Sequence, residues 1–581
     1  MAQYIFVKTR KAEDDIIDAL SKVCNHLTPN EIKEQSQNFV DICNDSSGTY
    51  YAIQNSDGVA LEKNGALIIG WVDEIQNVYD ENSDIKVNGS YAIIKHQKSE
   101  ISFFCDQFGS RTLWYYLDED KLIVSTSQRA IIALKKSYNL NEECIAWYLS
   151  SGSQGPFISW DQDIVHVDPK LKYIFNVHNW SMGIKEKNLE LTKSGVVSTS
   201  EFNKYFVERI QTNITKNLKN NSKNKTLLPI SGGFDSRLLL GIIKFLKLDE
   251  SVDLVNWGVD QNLYDDKKAA VEISKSYKKR LLSFFLPKKI VDFNKVLDSF
   301  VERSEGRIDH FNAFADDFDL WREIKEKNYT TVIRGDIPYP TGLHLNTIQA
   351  RQKIGLERLE DYSNFDSADF DQYKILQRQC NISRHSRESY IRWRDRLYIS
   401  WRVPLVLSSF TQLICPYTEN IVPMMDWEVF NKYMGISDKN KGNKLHVYKA
   451  WKEYDCTGVP CKALPSLQHM DMYFYEESGK TYLIEQLELI SQSNNFLNIF
   501  SSKVVQEIKS MSLPVKTRRT LLMKIKRILS KSLPAYLKFY LKAKQPMRIS
   551  HITVAYRLIL INKILKMYEK DARFLNNTMG A

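Results

Sequence analysis

The stretch 227-LLPISGGFDSRLLLGII-243 places an apolar run, a corner of two glycines, an aspartate and two serines, and a leucine-rich helix start in direct succession. Such a run reads as a buried strand, and glycine lets the chain turn sharply from it into a helix. Ser231, Gly232 and Gly233 leave backbone N–H groups uncovered at that corner, while a helix beginning near Ser236 points its positive end the same way. Anions bind at such corners. The lysine of a GxxxxGK[ST] loop is missing, so the expectation is a nucleotide pyrophosphate held by the serines, with Asp235 free for Mg2+. The competing reading is an ordinary strand–turn–helix corner in which glycine serves geometry alone.

Around this corner the chain changes texture twice. Residues 1 to about 190 alternate short apolar runs with turn residues, as in "ISFFCDQFG", "LWYYLDEDKLIVSTS" and "LKYIFNVHNWS", which predicts a β-rich domain. From about 200 to 460 strand-like runs ("TLLPI", "VDLVNWGV", "LLSFFLP", "YTTVIRG") alternate with helical ones ("EFNKYFVERIQTNITKNLKN", "DDKKAAVEISKSYK"), which predicts a parallel sheet covered on both faces. Residues 461–581 are helical in pattern.

A chain of 581 residues is expected to form two or three domains. It opens without a signal segment, and its longest apolar stretches, such as "VPLVLSSFTQLI" at 403–414, fall short of the ~20 residues a membrane span needs; a soluble, cytoplasmic protein is expected. The eight cysteines lack paired CxxC spacing and disulfide-scaffold density, which predicts reduced, buried thiols and no zinc site. The net charge of +10 is a local matter: Val515 to Arg548 holds eleven Lys or Arg and no Asp or Glu, so the remainder is close to neutral and no specific nucleic-acid partner is expected. Within that tract "TLLMKIKRIL" sets Leu521, Leu522, Ile525, Ile528 and Leu529 opposite Lys524, Lys526 and Arg527. Such a helix packs on the domain before it, or attaches residues 515–548 to an anionic membrane surface or acidic partner.

The corner Ser231-Gly232-Gly233-Phe234-Asp235-Ser236 resembles the SGGxDS pyrophosphate loop of the N-type ATP pyrophosphatases, and within them the asparagine synthetase family. Further segments resemble that family in the same order. The strand ending near Gly258 is similar to the one whose main chain receives the adenine; Pro416-Tyr417-Thr418-Glu419 is similar to Pro-Phe-Leu-Asp; and Lys444, twenty-five residues after Glu419, opens "KLHVYKA" where the family has Lys-x-Leu-Leu-Arg-x-Ala. Residues 87–134 resemble the stretch of the N-terminal domain that runs from Asn-Gly-x-Phe-Ala to Ser-Glu-x-x-Ala-Leu. The resemblance implies a multidomain α/β and α+β architecture: an Ntn-hydrolase-like αββα sandwich of the class II glutamine amidotransferase type over 1–190, a Rossmann-like ATP pyrophosphatase domain over 200–460, and a helical, basic C-terminal region over 461–581.

It also implies a reaction: activation of a small-molecule or peptide carboxylate by ATP with Mg2+, release of pyrophosphate, and attack of ammonia or an amine on the acyl-adenylate. The implied ATP-binding residues are Leu228, Ser231, Gly232, Gly233, Asp235, Ser236, Gly258 and Gly335; the implied metal ligands are Asp235 and Asp336; the implied catalytic residues are Lys444 and Asp336. A homodimer is left open.

Two departures bear on this. The family's glutaminase uses an N-terminal cysteine whose own α-amine serves as base, yet position 2 is Ala2. The Arg-Gly-Pro that grips glutamine is absent from "SSGTYYAIQNSDG", and the Asn-Gly-Glu of the oxyanion hole from "GWVDEI", so a silent glutaminase is expected. Cys24 does not replace the lost thiol, because Ile16, Leu20, Cys24 and Leu27 share one helical face and read as core. Where the family has Ser-Gly-Glu-Gly-Ser-Asp-Glu, this chain has "VIRGDIPYPTG", in which Asp336 is the one carboxylate: either the metal-binding Asp or a stand-in for the Glu. β-Lactam synthetase and the lasso-peptide cyclase also lack the cysteine and close an internal amide. An ammonia- or amine-dependent ligase, a macrolactam former of that kind, and a non-catalytic ATP-binding relative therefore stand as the functional expectations.

Overall fold

The computed structural model describes residues 3–492, 502–509 and 547–578, apart from residues 12, 14, 36–37, 43–47, 56–60, 64, 73–87, 98, 188, 190, 221–224, 259–265, 288, 312–318, 341–345, 367, 442–443, 456, 460–470 and 507–508. Ala2 and nearly all of the basic tract at 515–548 thus lie outside the described residues.

The N-terminal part is built on two six-stranded antiparallel sheets. Its strands are β1 (Gln3–Thr9), β2 (Phe39–Ile42), β3 (Thr49–Gln54), β4 (Leu61–Lys63), β5 (Ala66–Val72), β6 (Gly89–His96), β7 (Glu100–Cys105), β8 (Trp114–Leu117), β9 (Lys121–Ser125), β10 (Val165–His166), β11 (Leu171–Asn176) and β12 (Ser181–Glu186). One sheet runs β10-β8-β9-β1-β3-β2, the other β12-β11-β7-β6-β5-β4. Side chains alternate as the pleat requires. Tyr4 and Phe6 of β1 meet Ile94 and Phe103 of the other sheet, whereas Ile5 and Val7 face helices α1 (Ile16–Leu27) and α2 (Gln128–Lys135). Strands buried on both faces carry few polar residues, which is why this domain reads as short solid apolar runs. Helix α3 (Glu142–Ser151) follows, capped by the Asn141 side chain on the Glu143 N–H.

After α4 (Thr199–Asn220) comes a five-stranded parallel sheet: β13 (Lys225–Pro229), β14 (Val252–Gly258), β15 (Leu281–Phe285), β16 (Tyr329–Ile333) and β17 (Glu419–Ile421), ordered β15-β14-β13-β16-β17. Helices α5 (Phe234–Phe245), α6 (Asp266–Ser276) and α7 (Phe293–Ser304) connect and cover it. Leu227 of β13 falls in the core on one face and Leu228 in the core on the other. The order reverses at β13: β14 lies to one side, β16 to the other. In open α/β sheets, ligands bind at the carboxyl ends of the strands flanking such a reversal. The corner after β13 and the Gly335–Asp336 turn after β16 occupy that position.

The 403–414 apolar run crosses a wide-turned π-helical segment, Tyr398–Leu407 with Pro404 inside it, and the helix Ser408–Ile414. Among the described residues no helix is long and apolar enough to cross a membrane. Helix α8 (Leu445–Tyr454) returns alongside α5; α9 (Glu477–Gln492) and α10 (His551–Thr578) end the described chain. Helix α10 packs on α2, α3, α7 and α9, so the C-terminal helix lies in the seam between the two sheet systems. Its Asp571 carboxylate accepts from Arg129 Nε (2.7 Å) and Nη2 (2.9 Å) and pairs with His26 Nε2 at 2.8 Å.

Candidate functional site

Strand β13 ends at Pro229, and Ile230 continues its ladder by donating to the Val255 carbonyl at 2.9 Å. The chain then turns through Ser231–Gly233 into α5, whose N-cap is Gly233 with no side-chain cap. An uncapped first turn leaves N–H groups available to an anion. Within the corner, Gly233 N–H donates to Ser231 Oγ (3.2 Å), the Ser231 and Ser236 hydroxyls stand 3.4 Å apart, and Gly232 N–H donates to the Asp266 carboxylate at the start of α6 (3.0 Å).

Asp235, in the first turn of α5, is the electrostatic centre. Its Oδ2 accepts from the Lys444 ammonium, across 209 residues of sequence, while Oδ1 is buried without a hydrogen-bond partner. Burial lifts its carboxyl above the usual carboxylate range; Lys444 opposes that lift and the charge of Asp336 adds to it. Lys444 precedes α8 with φ +51, in the left-handed region that a non-glycine residue rarely adopts.

Asp336 reaches the same place from β16. A Cβ on Gly335 would come within 3.2 Å of Asp235 Cβ and 3.4 Å of the Ser236 nitrogen, so a side chain there would push the two turns apart. Asp336 itself pairs with Arg334 at 2.7 Å. Tyr398, on the π-helical segment, donates its hydroxyl to the Ile337 carbonyl at 3.1 Å. Arg334 and Tyr398 escaped the reading of the sequence; the i, i+2 spacing of Arg334 and Asp336 was the one local signal.

The other expected residues take supporting places. Leu228 is fully buried in β13, paired with Leu254, and offers the corner only its backbone. Gly258 ends β14, its carbonyl accepting from Leu286 N–H at 3.1 Å; the residues after it, 259–265, lie outside the described chain. Glu419 serves the seam: its Oε1 accepts from Arg111 of the N-terminal domain and from its neighbour Asn420 N–H (3.0 Å). Helices α5 and α8 run in close contact, and a Cβ on Gly241 would fall 2.6 Å from the Tyr454 carbonyl oxygen.

The donor set suits Mg2+ carried by phosphates. That ion takes one or two carboxylates and completes its shell with water and phosphate oxygens. Asp235, with its orphaned oxygen, and Asp336 supply two carboxylates. Among the described residues no group of three or more His, Cys, Asp or Glu could hold a metal unaided. The described thiols are not activated: burial pushes Cys24, Cys105, Cys380 and Cys415 up to about 12, and Cys144 well above its ordinary value.

No family model matches the sequence, and no curated protein matches it. Among solved structures, the chain is similar to a glutamine phosphoribosylpyrophosphate (PRPP) amidotransferase from B. subtilis complexed with ADP and GMP, at 9% identity and a TM-score of 0.21 over 49% of this chain and 90% of that one. It is similar also to a structure of the allosteric regulatory enzyme of purine biosynthesis, at 9% identity and a TM-score of 0.21 over 64% of this chain and 88% of that one. So slight a likeness carries no assignment of chemistry, and the site stands on its own geometry.

Proposed function

We propose that the chain is an ATP-dependent, AMP-forming amide ligase that activates a carboxylate and passes the acyl group to ammonia or an amine. One observation carries the reading: Asp235, Asp336 and Lys444, from three distant segments, meet at the strand ends flanking the sheet's reversal, beside an uncapped helix start. A carboxylate and an amine do not condense at neutral pH because the departing oxygen is a poor leaving group. Bound Mg·ATP would supply an electrophilic α-phosphorus: a carboxylate oxygen would bond to it as pyrophosphate departs, and that oxygen would then leave the acyl carbon as part of AMP when the amine attacks.

The chain's own groups fit the remaining tasks. Ser231, Ser236 and the first N–H groups of α5 suit pyrophosphate oxygens. Lys444, half-exposed, would turn from Asp235 toward phosphate, which frees both Asp235 oxygens for a cation. A donor so placed against developing negative charge is worth ~3 kcal/mol. With the described thiols unactivated, the nitrogen would come from ammonia, a separate amine, or an amine within the same molecule.

A non-catalytic ATP binder is the second reading, and one observation favours it: Asp336, the acid the chemistry needs beside Asp235, already holds Arg334. Exchange of labelled pyrophosphate into ATP separates the two. The ligase reading expects Mg2+-dependent exchange with at least one acid from a pool of amino, sugar and peptide acids, lost in Asp235→Asn. ATP affinity without exchange for any acid would leave the binder; neither affinity nor exchange would sink both.

A further inference from the structure

We propose that Tyr339 and His446 form a strut that sets the separation of the Asp336 turn from the Lys444 turn, making both positioning residues of the site; the inference rests on the nucleotide reading above only for what the spacing serves. The Tyr339 hydroxyl lies 2.5 Å from His446 Nε2, and both residues are buried. Tyr339 stands three residues after Asp336, His446 two residues after Lys444, so this single bond joins the two turns across 107 residues of sequence.

Both rings are held from behind. Tyr339 stacks on Tyr433 with centroids 3.9 Å apart and planes 11° apart, while His446 meets Phe202 and Phe206 edge-on at 5.1 and 5.6 Å. The turns are also fixed at their outer ends. Arg334 N–H donates to the Ile421 carbonyl (2.8 Å), and the Lys441 ammonium, three residues before Lys444, is buried against Asp395 at 3.3 Å. Lys444 thus hangs between two anchored residues, which is how the chain holds it at a positive φ.

The direction of the bond follows from the surroundings. Burial, with Lys444's charge adding to it, holds His446 down to about 3, so its ring stays neutral and Nε2 accepts. Burial keeps the Tyr339 phenol protonated, and it donates. Neither group has a proton to trade near neutrality, which makes the pair a spacer rather than an acid or base.

The test uses the full chain and two readouts. Lys444 is acylated with dilute acetic anhydride and its rate followed by peptide mass spectrometry, with exposed Lys449 as the internal standard; Mg2+-dependent binding of α,β-methylene ATP is measured by calorimetry. Tyr339→Phe keeps the stacked ring and removes only the hydroxyl. It is expected to raise Lys444 acylation about fivefold, the factor that one lost hydrogen bond allows, and to weaken the analogue's binding about as much. His446→Leu should do the same, His446→Gln should restore both values because its amide oxygen accepts, and the Tyr339→Phe/His446→Leu pair should be no worse than either single change. The Lys449 rate and the melting temperature identify any variant that has merely loosened. Unchanged Lys444 acylation in Tyr339→Phe overturns the strut whatever the nucleotide does. Faster acylation in a protein whose unmodified form binds no analogue keeps the strut and overturns the nucleotide reading.

Discussion

Asp571 is a fully buried aspartate and Asp235 a half-buried one, both close to cations, and they differ in how far their oxygens are satisfied. In the seam, Asp571 satisfies both oxygens with Arg129 and His26. Burial would raise its carboxyl, but Arg129 and the bond from His26 hold it below the usual range. At the glycine corner, Asp235 has one oxygen on Lys444 and the other on nothing, and its carboxyl is lifted instead. Both oxygens of Asp571 are thus committed to structure, while one oxygen of Asp235 stays open to a further partner.

The contrast breaks most visibly in stability. Asp571→Ala strips the buried Arg129 guanidinium of its carboxylate partner, leaving it the Glu302 carbonyl, and is expected to cost about 3–5 kcal/mol in urea unfolding. Asp235→Asn is expected to cost nothing or to stabilise slightly, while removing Mg·ATP binding. Equal losses from the two would erase the distinction.

Acid and base sharpen it further. Glu357, near Arg557 and Arg402, is pushed up to about 7, chiefly by burial. Between its ordinary value near 4.5 and about 7 the folded chain holds the proton more tightly than the unfolded one, so this group weakens the fold as pH rises through that window. Glu357→Gln should therefore raise stability at pH 8 by about 2 kcal/mol and change nothing at pH 4, read from melts across pH. Asp571 has the opposite sign: its stabilisation is present above the ordinary carboxylate range and is lost as pH falls through its lowered value. The smallest effect belongs to an exposed pair, Lys22 with Asp18 at 2.8 Å on α1; Lys22→Ala should shift stability by about 0.3 kcal/mol and lose even that in 1 M salt.

What the sequence revealed follows from how local each signal is. Strands β14, β15 and β16 were readable as short, mostly apolar runs set between helical stretches, even where Asp253, Ser283 or Thr330 interrupts them. The core role of Cys24 was readable because Ile16, Leu20, Cys24 and Leu27 repeat at helical spacing, and all four are buried on α1. Strand β17, with three residues, is too short to show a period; Glu419, read as structural rather than catalytic, bonds Arg111 in the seam. The corner announced itself through glycine and serine in one short string. Tyr398 and the pairing of Tyr339 with His446 had no local signature, since their partners lie 61 and 107 residues away.

The contact between Gly241 and Tyr454 limits how the corner could be remodelled. Because the two backbones already touch, the helices carrying the acid at one start and the amine at the other share a common spine. Room beside the two charges would be gained by rebuilding the segment 334–340 or the chain near Lys441 and Lys444, since prying the spine open would misplace both charges at once.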